Sequence, residues 1–109
     1  VVIMSPRATE VVRIRPKAGQ EERLRGIRPA MVAEYEAHWP GRFSTDLYEL
    51  EDGTWLDLWT WETRALADEA LASPEKTPSF EEWKTLVDPV AFDWAAPGPW
   101  GTHSHDTTR

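Results

Sequence analysis

Residues 43 to 61 read FSTDLYELEDGTWLDLWTW, from Phe43 to Trp61, and their reading as a β-hairpin decides the fold. Asp52-Gly53 is a strong turn signal, because a two-residue type I′ turn needs positive φ at both central positions and these two residues tolerate it. Counting outward from such a turn sets Glu51 opposite Thr54, Tyr48 opposite Asp57, Asp46 opposite Trp59 and Ser44 opposite Trp61. Opposed residues share a face and successive residues alternate. This register predicts one face with Ser44, Asp46, Tyr48, Leu50, Trp55, Asp57, Trp59 and Trp61, and another with Thr45, Leu47, Glu49, Leu56, Leu58 and Thr60. Neither face is uniformly polar, so both are expected to be covered. A shift of one residue would exchange the faces of one strand relative to the other.

Upstream of the hairpin, Glu10 to Arg15 reads as a strand with Val12 and Ile14 on one side and Val11, Arg13 and Arg15 on the other. From Gln20 to His38, Leu24, Ile27, Met31 and Tyr35 recur at helical spacing. Pro29 lies inside this stripe and predicts a kink or two abutting helices. Arg23, Arg25 and Arg28 are read as a solvated helix face, and Trp39-Pro40-Gly41 ends the helix. Downstream, Thr63 is a plausible N-cap for a helix with Leu66, Ala70 and Leu71 on its apolar side, interrupted at Ser73-Pro74. A second short helix starts at Ser79, with Glu82 in the capping-box position, and stops at Pro89. Val90 to Ala95 forms the last strand.

The element order is β, α, β, β, α, β, with the second helical region broken in two. That order predicts an α+β, ferredoxin-like βαββαβ domain, an antiparallel four-stranded sheet with both helical regions on one face. The domain spans residues 10–95, flanked by tails at 1–9 and 96–109 that are flexible or dock on a partner. The bare sheet face, carrying Leu47, Leu56 and Leu58, predicts a symmetric homodimer with two sheets face to face.

Composition narrows the function. The 109 residues suit one core. Without cysteine there is no disulfide, thiolate metal site or thiol nucleophile, which fits a cytoplasmic protein. Apolar runs are too short for a membrane span, and Val1 to Met4 is too short for a secretory core. A net charge of −7 argues against nucleic acid and anionic membranes as partners. The balance is uneven, with eight Lys/Arg against five Asp/Glu in residues 1–42 and four against fourteen in residues 43–109. No phosphate-cradling glycine loop, nucleophile elbow or metal constellation stands out, so no cofactor or metal is expected. His103, His105 and Asp106 in a Gly/Pro/Ser/Thr-rich tail are read as adventitious rather than as ligands.

Several short motifs resemble the dimeric α/β-barrel superfamily and, within it, the antibiotic biosynthesis monooxygenase-like domain. They are Lys17-Ala18-Gly19 opening the first helix, Pro40-Gly41-Arg42-Phe43 leading into the second strand, and Trp61-Glu62-Thr63 leaving the third. With the strand order they cover roughly residues 10–95. The resemblance implies a homodimeric barrel acting as a cofactor-free oxygenase on an aromatic, polyketide-like molecule, a haem-degrading enzyme, or a relative without assigned activity. It also implies that Trp61 points toward the helices and lines a cleft there. The haem-degrading branch resembles an Asn, Trp, His set; this chain has no Asn, and no His in the second helical region, so haem cleavage is not expected.

The candidate site follows from the hairpin face. Trp55, Trp59 and Trp61 either form aromatic core or offer a stacking platform for an aromatic ligand. A carboxylate among them must be paired, protonated or solvated. Either Arg13 and Arg15 pair with Asp46 and Asp57, or these aspartates lie at the rim, or one of them is a general base with Tyr48 bonding a substrate oxygen, Ser44 nearby, and Arg13 or Arg15 steadying the developing anion. His38, at the end of the first helix, is either a helix-terminal cation or a further catalytic group. Glu34, Glu36, Glu81 and Glu82 are read as solvated. Two alternatives remain beside the oxygenase, a non-catalytic ligand-binding or structural barrel, and a polyketide cyclase or isomerase using the same acid/base residues.

Overall fold

A computed structural model of the chain describes residues 7–96. Strand β1 (Ala8–Pro16) is followed by helix α1 (Glu21–His38), strands β2 (Phe43–Glu49) and β3 (Trp55–Trp61), helix α2 (Arg64–Leu71), a 3₁₀ turn at Pro74–Lys76, helix α3 (Pro78–Thr85) and strand β4 (Val87–Ala95). The strands form one antiparallel sheet in the order β2-β3-β1-β4. This is the ferredoxin-like βαββαβ arrangement expected from the element order. Residues 8 and 9, assigned above to the leading tail, belong to β1. The rest of the assigned tails, with Trp100, His103, His105 and Asp106, lie outside the described residues except for Arg7 and Ala96. Among the described residues no helix is long and apolar enough to cross a membrane.

The hairpin register differs from the expected one by a single residue. Phe43 stands opposite Trp61, Thr45 opposite Trp59, Leu47 opposite Asp57 and Glu49 opposite Trp55. The loop is three residues, Glu51-Asp52-Gly53, closed by Leu50 N–H to the Thr54 carbonyl at 2.8 Å, with Gly53 at φ 89°. Asp52 Oδ1 accepts from the Thr54 amide at 2.9 Å and from its hydroxyl at 2.6 Å, and these bonds hold the Asp52 carboxyl below its ordinary range. The physical reason for the longer loop is burial. In this register Phe43 stacks against Trp59 and packs against Trp61, and Leu47 is half-buried, while Ser44, Asp46 and Tyr48 face away from the helices. The two-residue turn would have driven Ser44 and Asp46 inward and Phe43 outward, losing apolar burial and desolvating a carboxylate. The bare sheet face therefore carries Val11, Leu56 and Leu58 with Tyr48, and Leu47 belongs to the helix side.

Pro29 does not divide α1, which runs as one helix. Leu24, Met31 and Tyr35 are its buried residues, the stripe the spacing predicts. Thr63 caps α2, its hydroxyl accepting from the Leu66 amide at 3.1 Å. The Ser79 capping box does not form. Helix α3 starts one residue earlier, and Ser79 instead donates from its amide (2.9 Å) and hydroxyl (2.6 Å) to the carboxylate of Glu34 on α1. Glu34 is thus no solvated side chain but a cap supplied by one helix to another. Pro89 does not stop α3, which ends at Thr85; it stands within edge strand β4 opposite Ile14, where the pairing shifts register. A proline is tolerated at an edge or bulge because no ladder donor is needed there.

Candidate functional site

The four alternating residues Trp55, Asp57, Trp59 and Trp61 of β3 are all buried on the helix side. Their neighbours in β1 on that side are Ile14, Val12, Glu10 and Ala8. Between this face and the helices lies a cavity of about 400 Å³, within the range of small-molecule sites. Trp59, Trp61, Tyr35, Phe80, Trp83 and Phe92 supply its aromatic wall, and Val12, Ile14 and Val87 its aliphatic one. Its ionisable lining is Glu10, Asp57 and Lys84, with the Tyr35 phenol beside them. Tyr35 binds the aromatic wall together, its ring 4.7 Å from Trp59 and 6.1 Å from Trp61. Burial raises the Tyr35 phenol above its ordinary value, so it keeps its proton at neutral pH.

The two carboxylates differ in what holds them. Asp57, 5% exposed, has both oxygens engaged by Arg28 of α1, Nη1 to Oδ2 at 2.9 Å and Nη2 to Oδ1 at 2.8 Å. Arg28 also donates to the Thr45 hydroxyl at 2.9 Å, and its guanidinium lies 5.2 Å from the ring centroids of both Trp59 and Trp83. It is a buried, bidentate, doubly stacked arginine, the arrangement for which arginine rather than lysine is suited. Glu10 has a different partner. Its Oε2 accepts a 3.0 Å bond from the Trp61 indole N–H, and no described cation lies within ion-pair distance of it. Burial, reinforced by Asp57 and Asp68 and opposed by the Trp61 bond and Arg64, pushes Glu10 up to about 7.

The structure brings together three of the residues singled out in the sequence, Asp57, Trp59 and Trp61. Trp55 is buried beside them but packs against Trp83 rather than lining the cavity. Because of the register, Asp46, Tyr48 and Ser44 lie on the opposite sheet face, Tyr48 half exposed. Ser44 borders a shallow polar depression with Arg7 and Arg42. Arg13 and Arg15 also lie on that opposite face, so neither pairs with Asp57; Arg13 donates to Thr54 and approaches Asp52 at 3.6 Å. His38 is exposed at the end of α1, its ring 5.8 Å from Trp39. Sequence reasoning missed Glu10 and Arg28. Both carried a signal, since Glu10 continues the Val12, Ile14 alternation and Arg28 sits four residues after Leu24 and three before Met31, on the buried stripe. Among the described residues no three His, Asp or Glu side chains are placed to hold a metal ion.

No family model matches the sequence, and no curated protein matches it either. Among solved structures, a crystal structure of a Chloroflexus aurantiacus J-10-fl protein superposes with a TM-score of 0.65 over 90% of this chain and 97% of that one. That protein's assignment as an antibiotic biosynthesis monooxygenase is itself provisional. The two chains share one fold. At 16% identity the likeness is one of architecture, and it agrees with the ferredoxin-like fold expected from the element order. Folds of this kind host several chemistries, so function has to be argued from the cavity.

Proposed function

We propose that this chain is a small-molecule enzyme, a cofactor-independent, monooxygenase-like protein that takes an aromatic or polyketide-type substrate into the cleft between sheet and helices. The observation that carries the reading is the cavity itself, about 400 Å³, walled by aromatic rings and holding carboxylates on one wall. Stacking on Trp59 and Trp61 would place a planar ring against the sheet. A carboxylate beside it would take a proton from a phenol or enol, leaving an electron-rich anion that can reduce dioxygen by one electron. The sheet face opposite the helices, with Val11, Leu56, Leu58 and Tyr48, would be covered by a second copy, giving one cleft per protomer in a symmetric barrel.

The test is a titration of tryptophan fluorescence with a panel of hydroxylated anthraquinones, followed by oxygen uptake with reduced members of the panel. Quenching with saturation and oxygen uptake support the enzyme. Quenching without uptake favours an isomerase, a cyclase or a binding protein, and absence of quenching across the panel refutes the cleft as a ligand site. Sedimentation reads the assembly separately, where a monomer at micromolar concentration would refute the barrel.

A further inference from the structure

Given that reading of the cleft, we propose that Glu10 is its catalytic base, removing a proton from an acidic C–H or O–H of a ring stacked on Trp59 and Trp61, and that Asp57 is not. Geometry separates the two carboxylates. Arg28 takes both oxygens of Asp57 at 2.8 and 2.9 Å, so a proton moved there would have to displace a bidentate bond. Glu10 offers one oxygen to the Trp61 indole, and its Oε1 accepts no bond among the described residues. The carboxylate is therefore oriented by one donor and open at the other oxygen, on central strand β1 and facing the cavity. A base on the middle strand of a sheet is held more rigidly than one on a loop.

The electrostatic surroundings suit the task. The groups facing Glu10 are Asp57 from β3, Asp68 and Arg64 from α2, Tyr35 from α1 and Lys84 from α3; on β4 the residues on its side near the cavity are Phe92 and Trp94. Desolvation and the two aspartates outweigh Arg64 and the indole bond, which brings the carboxyl to about 7. An acceptor matched to neutral pH is present in both forms and gains the most from proton transfer in either direction. In the step itself the C–H or O–H bond of the substrate breaks heterolytically and the proton goes to Glu10 Oε1. The electron pair stays on the substrate and spreads onto its ring and carbonyl oxygen. The Tyr35 phenol, on the same cavity wall, keeps its proton throughout.

The test uses anthrone, whose methylene is flanked by two rings and conjugated to a carbonyl, in deuterated buffer under nitrogen, with exchange followed by NMR and binding by tryptophan quenching. Wild-type protein should speed the exchange above buffer, and Glu10→Gln, which can still accept the Trp61 bond, should slow the enzymatic part by about 100-fold or more while quenching persists. Exchange by Glu10→Gln at the wild-type rate with quenching intact overturns the proposal, as does loss of exchange in an Asp57→Asn variant that still folds and quenches while Glu10→Gln exchanges normally. If wild-type protein neither quenches nor exchanges, the ligand reading fails, and the Trp61 indole N–H resonance then decides Glu10. It should titrate with a midpoint at about 7 in wild type and not in Glu10→Gln; a resonance that does not titrate overturns the assignment.

Discussion

Removing Arg28 should be a severely destabilising single change in this domain. Its side chain is 13% exposed and that of Asp57 8%, so the pair is buried, and deleting one partner leaves the other charge desolvated, a loss of about 3–5 kcal/mol. Arg28→Met keeps most of the aliphatic volume between Trp59 and Trp83 but loses two cation–π contacts, each worth about 0.5–2 kcal/mol. The expected cost is therefore at least about 4 kcal/mol, a large part of the roughly 5–15 kcal/mol available to a domain. Urea denaturation at neutral pH reads it as a fall in midpoint of about 2 M, for a slope of about 2 kcal/mol per molar. The decisive comparison is the double variant Arg28→Met/Asp57→Leu. Removing both charges should recover at least about 2 kcal/mol relative to the sum of the two single changes, because no unpaired charge remains. A cost below about 1 kcal/mol for Arg28→Met, or a double variant as unstable as that sum, would refute the buried-pair reasoning.

Three other outcomes are expected. Glu10 has an ordinary value near 4.5 in the unfolded chain and about 7 in the folded one, so the folded state binds more protons between those values. Stability should fall as pH rises through that window, by up to about 3 kcal/mol. Glu10→Gln should flatten the curve, and urea midpoints at several pH values check it; an unchanged slope would contradict a half-buried carboxyl without a cation partner. Glu34→Ala removes the acceptor for the Ser79 amide and hydroxyl and should cost about 1–2 kcal/mol, with loss of amide protection at the start of α3 in hydrogen exchange. Gly53→Ala meets only an ordinary 3.7 Å contact with Arg15 but retains φ 89°. It should therefore cost about 1–2 kcal/mol from backbone strain alone, whereas a stability change near zero would argue for a different loop.

Much of the fold was legible because its signals are local. The helical stripe Leu24, Met31, Tyr35, the Thr63 cap and the Ser73-Pro74 break each depend on residues a few positions apart, and each appears in the structure. The misreadings share a cause, in that a local signal had two solutions and a distant contact chose between them. Asp52-Gly53 suits a two-residue turn and also a three-residue loop ending in a left-handed glycine. Ser79-x-x-Glu82 is a fair capping box, but Glu34 on another helix reaches the same amide. Pro89 is a fair helix stop, yet edge strand β4 accommodates it beside a register shift.

The site was legible only in part for a related reason. The faces of β3 are unaffected by which turn closes the hairpin, so Asp57, Trp59 and Trp61 come together in either register, whereas Asp46, Tyr48 and Ser44 depend on it and lie on the far face. The deciding criterion was available in the residue types. One register buries Phe43, Thr45 and Leu47, the other Ser44, Asp46 and Tyr48, and at about 25 cal/mol per Å² the first is favoured before any cost of burying Asp46 is added. Charge was the second source of error. Arg28 was given to solvent by residue type, and Glu10 was assigned to neither face of its strand, although the spacing of both put them on apolar faces. A charge at a position that periodicity marks as buried must find a partner or shift its protonation. Arg28 did the first, with Asp57, and Glu10 the second. Both residues that violate the hydrophobic pattern thus meet the cavity, Glu10 directly and Arg28 through Asp57.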